Sequence, residues 1–483
     1  MKISIRNLFI IVLFCGIFYI SMKPIADPDF WWHLRTGQLI EQTKEIPRVD
    51  PFSFSAAGKP WIAHEWLSEF LFFQLYKLGG YQLLIPVFSL IITASLLFAY
   101  LRCPKESRPY VAGFTLLLGF LTALPPLGVR PQIMTFLFTS IFLYLLDLYR
   151  KNEKFGTLIP IPLIMFLWVN VHAGYILGIV IEIVYIVGWV IELSILRFWK
   201  KENIEPKTKR SLLILVGALA ATLLTVPLNP VGFRIYTFSF QILFDPAIQA
   251  YVQEWVSPDF HMAMWLPLAF MILALIGSGM VGNRPFSITK IILTVGFGFA
   301  ALQSARHAPL FAITVVPVLA EQLDNLIKFR PAKQDPTRLM RWVNTILIGA
   351  VVLVLALKII QLPERQKKVE AENFPVQAVN WIINNKPEGN IFNTFNWGGY
   401  LIWKLYPDYL VYIDGRPDMY GSEFMSDYIE IHFANPGWEE KLDQKNARLV
   451  IVESDSALAN ALQQSTKWEM IYEDQQSMIF SKK

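Results

Sequence analysis

The chain carries little charge: only 17% of its 483 residues are Asp, Glu, Lys or Arg, against 54% hydrophobic. A water-soluble domain holds about a quarter charged residues, so the deficit excludes a chain solvated by water on all sides. Cysteine is nearly missing too. Cys15 falls inside the first apolar run and Cys103 at the far end of the second; at such different depths they do not reach one another, and no disulfide or thiolate metal site is implied. There is no G-x-S-x-G, no glycine-rich phosphate loop with its lysine and no C-x-x-C, and HEWLS at 64–68 has Ser68 where H-E-x-x-H needs its second histidine. The familiar hydrolase, nucleotidase and zinc-protease signatures are therefore absent. The net charge of +5 sits mostly at the ends of apolar runs and forms no groove for nucleic acid.

What the chain has in quantity is apolar length. Eleven runs stand out, at 4–22, 81–101, 109–128, 131–149, 157–171, 174–196, 211–228, 263–282, 287–304, 308–327 and 342–361. Most have the length needed to cross about 30 Å of hydrocarbon. The first has no convincing cleavage site after it and reads as an uncleaved anchor. Residues 66–78 are too short and too amphipathic to span, and read as a helix at the membrane surface or against the bundle. With the N-terminus inside, the cytoplasmic segments hold 21 Lys and Arg and the opposite loops before the last span hold nine. That asymmetry sets the expected orientation and puts the tail from 362 outside.

On this topology the unusual polar motifs collect on the outer face. The long first outer loop, 23–64, begins with DPDFWWHLRTG at 27–37 and ends in PWIAHEW; WVNVHAGY brings Asn170 and His172; DPAIQAYVQEWVSPDFH follows span seven; and SARHAP brings Arg306 and His307 between spans nine and ten. Ionisable groups beside hydrocarbon are costly and tend to be kept for function. The plainer alternatives are an interfacial aromatic belt for Trp31, Trp32, Trp61 and Trp66, and solvated loop positions for His33 and His64.

Pro28 keeps Asp27 out of helical geometry. A helix starting near Asp29 puts Asp29, Trp32 and His33, at i, i+3 and i+4, on one face. Asp29 either caps that helix or acts where a lipid-linked phosphate meets an acceptor hydroxyl. In that second role it is a general base, or a ligand to a divalent cation such as Mg or Mn.

These features together resemble the GT-C superfamily of integral-membrane glycosyltransferases, which use polyprenyl-phosphate sugars and carry a catalytic Asp or Glu in a long first outer loop. VRPQIMTFLF, LWVNVHAGY, VQEWVSPDF, SARHAPLF, NWGGYLIWKLYP and VYIDGRPDMYG extend the resemblance over nearly the whole chain, to a bacterial branch of that superfamily without an assigned donor or acceptor. The resemblance implies an all-α polytopic bundle of about eleven spans over 1–361 and an outer soluble α/β domain over 362–483. It also implies a bacterial inner-membrane location and a polyprenyl-phosphate-linked sugar as partner, with the acceptor open. Asp29, then Asp27, match the loop acid, with Asp29 the candidate metal ligand. His33, His64 and Glu65 would shape the site, and Arg306 and His307 would hold the donor phosphate, since an Arg fork suits phosphate oxygens; the plainer alternative for Arg306 is an interfacial anchor, and His172 is a further substrate-binding candidate.

In the tail, alternating helix and strand patterns predict a small, largely parallel sheet covered by helices. NWGGY at 396–400 resembles the W-x-x-G-like segment of oligosaccharyltransferase catalytic subunits but lacks its Asp. Gly398 and Gly399 fit a tight turn whose N–H groups could meet an anion. Asp414 and Arg416, in DGRPD, are either an accessory site on a sheet loop or an ion-paired turn. The rival function is a transporter or envelope-assembly scaffold, for which Glu182 and Glu192 in span six are the main intramembrane candidates.

Overall fold

The structure, a computed structural model, describes residues 4–201, 203, 205–244, 255–282, 286–327 and 337–483. Most of the loop DPAIQAYVQEWVSPDFH, together with Arg284, Lys328, Arg330 and Lys333 of the basic segments expected on the cytoplasmic side, lies outside these residues. The chain packs as two compact units: Met1–Lys23, Ile85–Ser239 and Val252–Gln361 form one, and Pro24–Leu84, Phe240–Tyr251 and Leu362–Lys483 form the other. Segment 24–84 thus groups with the tail, which hydropathy alone does not reveal.

The helices of the apolar part, in chain order, are α1 (Ile5–Ser21), α2 (Asp29–Thr43), α3 (Trp66–Arg102), α4 (Tyr110–Ala123), α5 (Gln132–Asn152), α6 (Pro160–Val171), α7 (Ile176–Ser194), α8 (Pro206–Thr225), α9 (Arg234–Phe244), α10 (Leu266–Val281), α11 (Ile288–Gln303), α12 (Ala308–Ile327) and α13 (Arg338–Asn373). Among the described residues seven helices are long and apolar enough to cross a membrane, and the chain is accordingly a membrane protein. Four of the expected spans lie instead on shorter apolar helices, at Ile5–Ser21, Tyr110–Ala123, Phe155–Val171 and Ile288–Gln303. In α3 the chain leaves helical geometry at Gly79 and Gly80, where Gly80 has φ +57. This glycine pair, which alone accepts such a backbone cheaply, separates 66–78 from the apolar stretch that follows.

In the first unit α12 is the central helix: 72% of its most apolar window is buried, against 6% for α13. Small residues let the helices close on one another. A Cβ at Gly119 would stand 2.4 Å from Val316 Cγ2, and one at Gly188 would stand 2.3 Å from Thr289 Oγ1. Several of the charged groups between these helices are paired. Arg102 Nε donates to Asp147 at 2.7 Å and Arg102 Nη1 to the Ile313 carbonyl at 2.9 Å. Glu192 pairs with Arg150, and the fully buried Glu182 accepts from Thr222 Oγ1 at 2.8 Å.

The tail holds four strands, β1 (Ile391–Asn393), β2 (Leu449–Glu453), β3 (Trp468–Glu473) and β4 (Ser477–Lys482), in the order β1-β2-β4-β3. Only β1 and β2 run parallel; β2–β4 and β3–β4 are antiparallel, so the sheet is mixed rather than largely parallel. The C-terminal hairpin adds antiparallel pairing beside the single parallel step. Helices α14 (Val376–Asn385), α15 (Gly398–Leu405), α16 (Pro417–Tyr420), α17 (Ser422–His432), α18 (Trp438–Gln444) and α19 (Ala457–Gln464) complete the tail. The expected strand at YLVYID is reduced to isolated bridges of Val411 with Ile391 and with Ser53, both parallel. Phe54 N donates to the Val411 carbonyl at 3.1 Å and Val411 N to the Phe52 carbonyl at 3.2 Å. Residues of the first loop thereby extend the tail's sheet past β1.

Candidate active site

Helix α2 begins at Asp29, as the DPDFWWH pattern predicts. The capping role falls to the neighbouring acid: Asp27 Oδ1 accepts the Asp29 N–H at 3.1 Å. This satisfies one of the orphan donors of the first turn and leaves the Asp29 carboxylate to face other groups. Trp32 Nε1, one turn on, lies 3.4 Å from Asp29 Oδ1. Trp31 and Trp32 are buried, at 0% and 6% exposure, and so is Trp61, at 6%. These three belong to the core of their unit and form no surface belt. Trp31 packs edge-on against Phe30, Phe374 and Tyr400.

The tail supplies the other wall. Gly399 faces the Pro28 carbonyl so closely that a Cβ there would sit 2.4 Å from it, so this glycine of NWGGY allows a close backbone approach. Gly415 faces Asp29 itself. The turn carrying it is fixed by Asp414, which accepts from Arg416 N at 3.1 Å, Arg416 Nε at 2.7 Å, Arg416 Nη2 at 2.6 Å and Tyr420 OH at 2.8 Å. Arg416 Nη2 also reaches Asp50 Oδ1 at 2.9 Å, and the guanidinium lies 4.6 Å from the Trp61 ring centre and 5.2 Å from that of Phe52. Burial by itself would lower the Arg416 pKa, but Asp414 and Asp50 outweigh it and hold it well above the usual value. Asp50 in turn accepts from Phe52 N and Ser53 N, each at 3.1 Å. DGRPD is thus an ion-paired turn, and its partners include the first loop.

His33, only 4% exposed, is no solvated loop residue. Its Nδ1 lies 3.2 Å from Glu69 Oε1 and its Nε2 lies 3.6 Å from Glu65 Oε2, while His64 Nε2 stands 3.6 Å from Glu65 Oε1. The four form a chain of alternating imidazoles and carboxylates, with His64 the most exposed member at 18% of its side chain. Burial lowers the His33 pKa, yet the Glu69 hydrogen bond and the charges of Glu65, Glu69 and Asp29 raise it beyond the ordinary value of 6.5. The His33 and Trp32 rings lie against one another, with centroids 3.6 Å apart.

Asp27, Asp29, His33, His64, Glu65, Asp414 and Arg416 therefore fall in one unit. Asp50, Glu69 and Gly415 join them without having been singled out in the sequence. Glu69 is legible in retrospect, in the first turn of α3 and four residues after Glu65, which directly precedes that helix, and Asp50 by D-P-F-S, in which the Asp accepts from two following N–H groups. Among the described residues no group of three or more His, Cys, Asp and Glu is arranged to hold a metal ion.

His172, Arg306 and His307 belong to the other unit. His172 Nδ1 is engaged by Thr135 Oγ1 at 2.7 Å and by Gly174 N at 2.9 Å. Arg306 lies over Trp255, 4.6 Å from its ring centre, and the His307 ring meets the same indole edge-on at 6.1 Å. The Ala305 N–H donates to the Val256 carbonyl at 3.0 Å, tying this turn to the segment that carries Trp255.

No protein family and no curated protein matches the sequence. Solved structures do match by shape. The oligosaccharyltransferase of Archaeoglobus fulgidus, tethered to an acceptor peptide containing the NVT sequon, superposes with a TM-score of 0.54 at 13% identity, over 93% of this chain and 69% of that one. Its complex with an inhibitory peptide and a dolichol-phosphate gives 0.52 at 12% identity over 92% and 69%. ArnT of Cupriavidus metallidurans bound to undecaprenyl phosphate gives 0.49 at 12% identity over 98% and 97%. The likeness is one of fold: by fold the chain is similar to the archaeal oligosaccharyltransferase.

Proposed function

We propose that this chain is a GT-C type glycosyltransferase that moves one sugar from a polyprenyl-phosphate donor to an acceptor at the outer face of a bacterial cytoplasmic membrane. One observation carries it: the Asp29 carboxylate stands in the first turn of α2, closely following the first apolar helix, with Trp32 Nε1 at 3.4 Å. The fold is shared with a protein whose structure holds a dolichol-phosphate, which is a donor carrier of the right class. In the step we assign, Asp29 takes the acceptor hydroxyl proton as that oxygen bonds to the anomeric carbon. The bond from that carbon to the phosphate oxygen breaks, and its electron pair leaves with the lipid phosphate. Arg306 and His307 would hold that phosphate, and His33, His64 and Glu65 would order the ground beside the base. A positioned general base contributes about 10²- to 10⁴-fold.

The test is sugar release from a panel of short-chain polyprenyl-phosphate hexoses by the purified full chain. Asp29→Asn should lose at least about 10²-fold while remaining folded; an Asp29→Asn protein as fast as the wild type ends the assignment. A transporter is the second reading, favoured by the buried Glu182 carboxylate on α7. It predicts that Glu182→Gln blocks lipid-phosphate uptake into vesicles while Asp29→Asn does not.

A further inference from the structure

We propose that the Asp414–Gly415–Arg416 turn of the tail sets the position of the Asp29 carboxylate, with Gly415 as a positioning residue for sugar transfer. This rests on Asp29 being the base. A Cβ built at Gly415 would lie 1.7 Å from Asp29 Oδ1, 2.8 Å from Asp29 Cγ and 3.2 Å from Trp32 Nε1. No carboxylate oxygen tolerates a carbon at 1.7 Å, so any side chain at 415 displaces the acid or the turn.

The glycine is not there for its backbone. Gly58, Gly80, Gly389, Gly421 and Gly437 of the same unit have φ in the left-handed region, and Gly415 does not. An alanine fits that backbone, and the three nearest atoms its Cβ would meet belong to Asp29 and its indole partner. The turn is also poorly placed to yield. Asp414 takes four hydrogen bonds from Arg416 and Tyr420, and Arg416 is tied to Asp50. Behind it, Gly398 lets α15 approach, since a Cβ there would meet the Ile413 carbonyl at 2.1 Å and Asp414 Cα at 2.7 Å. The flexible partner in the contact is the Asp29 side chain, so a methyl at 415 swings the carboxylate away from its place. A misplacement of about 1 Å can cost 10²-fold in rate.

Two readouts on the full chain separate the possibilities. Wild type, Gly415→Ala, Asp29→Ala and the double variant are melted in detergent, and wild type, Gly415→Ala, Asp29→Asn and Gly415→Ala/Asp29→Asn are assayed on the same polyprenyl-phosphate hexoses. Gly415→Ala should melt below wild type, and removing the Asp29 carboxylate should restore part of that loss, because the two groups press on one another. In turnover, Gly415→Ala should lower kcat by about 10- to 100-fold with KM little changed, and should add nothing in the Asp29→Asn background. If Asp29→Ala fails to restore the melt, the contact is not as described and the proposal falls with the base assignment untouched. If Gly415→Ala keeps wild-type kcat while Asp29→Asn loses it, the proposal falls and the base stands. If Asp29→Asn is fully active, the base assignment fails and takes the positioning role with it.

Discussion

Arg416 Nη2 stands 2.9 Å from Asp50 Oδ1, with both side chains at most 1% exposed: a buried ion pair joins the first loop to the tail within one unit. Removing Asp50 leaves Arg416 paired with Asp414 but takes the acceptor from the buried Phe52 and Ser53 N–H groups, and a buried donor left without a partner costs about 1–3 kcal/mol. Asp50→Ala should therefore lower the melting temperature strongly. Asp50→Asn, able to keep an acceptor for Phe52 N or Ser53 N, should cost less. Arg416→Lys should also destabilise, because one ammonium cannot reproduce the fork that spans Asp414 and Asp50. An Asp50→Ala protein that melts with the wild type would remove this pair as a structural element.

The pH dependence of stability follows from His33. Its folded pKa is raised above the ordinary 6.5 by Glu69, Glu65 and Asp29 against the opposing effect of burial. A raised folded value means the protonated form is favoured on folding. The stabilisation is complete below about 6.5 and is lost as pH rises through the folded value. His33→Gln should flatten that part of the melting-temperature profile measured from about pH 6 to pH 9. A slope unchanged by the substitution would mean that another group titrates there.

The two acids of DPD should separate cleanly. Asp27 accepts the Asp29 N–H, a task that Asn also performs, so Asp27→Asn should be nearly neutral. Asp27→Ala should cost about 0.5–2 kcal/mol of stability. Neither should match the loss of turnover in Asp29→Asn. Turnover that survives Asp29→Asn and dies with Asp27→Asn would reverse the assignment.

For Arg306, lipid-phosphate affinity is the measure. Charge-assisted hydrogen bonds of about 1.5–3 kcal/mol make Arg306→Ala roughly 10- to 150-fold weaker for undecaprenyl phosphate in titration, with Arg306→Lys in between. Because the guanidinium rests over Trp255, Trp255→Leu should weaken binding too, by less. Equal affinities across the series would leave Arg306 as an anchor on that indole and no more.

Orientation is tested by fusions. A reporter active only outside the cytoplasm should work after residue 362 and stay silent near residue 205. The opposite pattern would turn the proposed outer-face reaction inside out.

Apolar length made the helices of the first unit legible, since a bilayer demands runs that any reader of hydropathy finds. The start of α2 was legible through Pro28 and the spacing of Asp29, Trp32 and His33, all local signals. What the sequence concealed is long-range. Nothing near Asp50 names Arg416, nothing in DGR says that Gly415 keeps room for Asp29, and Val411 sits in a strand-like run whose partners, Ser53 and Ile391, come from opposite parts of the chain. Trp31, Trp32 and Trp61 look like belt residues by composition; only packing shows them buried.

The pairing of residues 52–54 with Val411 also has a cost in time. Ser55 hydrogen-bonds the Tyr412 carbonyl across 357 residues of chain. At about 5–20 residues per second, the ribosome needs roughly 20–70 s to make what lies between them. Throughout that wait residues 52–54 lack Val411 and Asp50 lacks its arginine. The unit that carries Asp29 therefore cannot close before the tail has been made, and slow elongation between the first loop and the tail should prolong the interval in which proteases and chaperones find the first loop open.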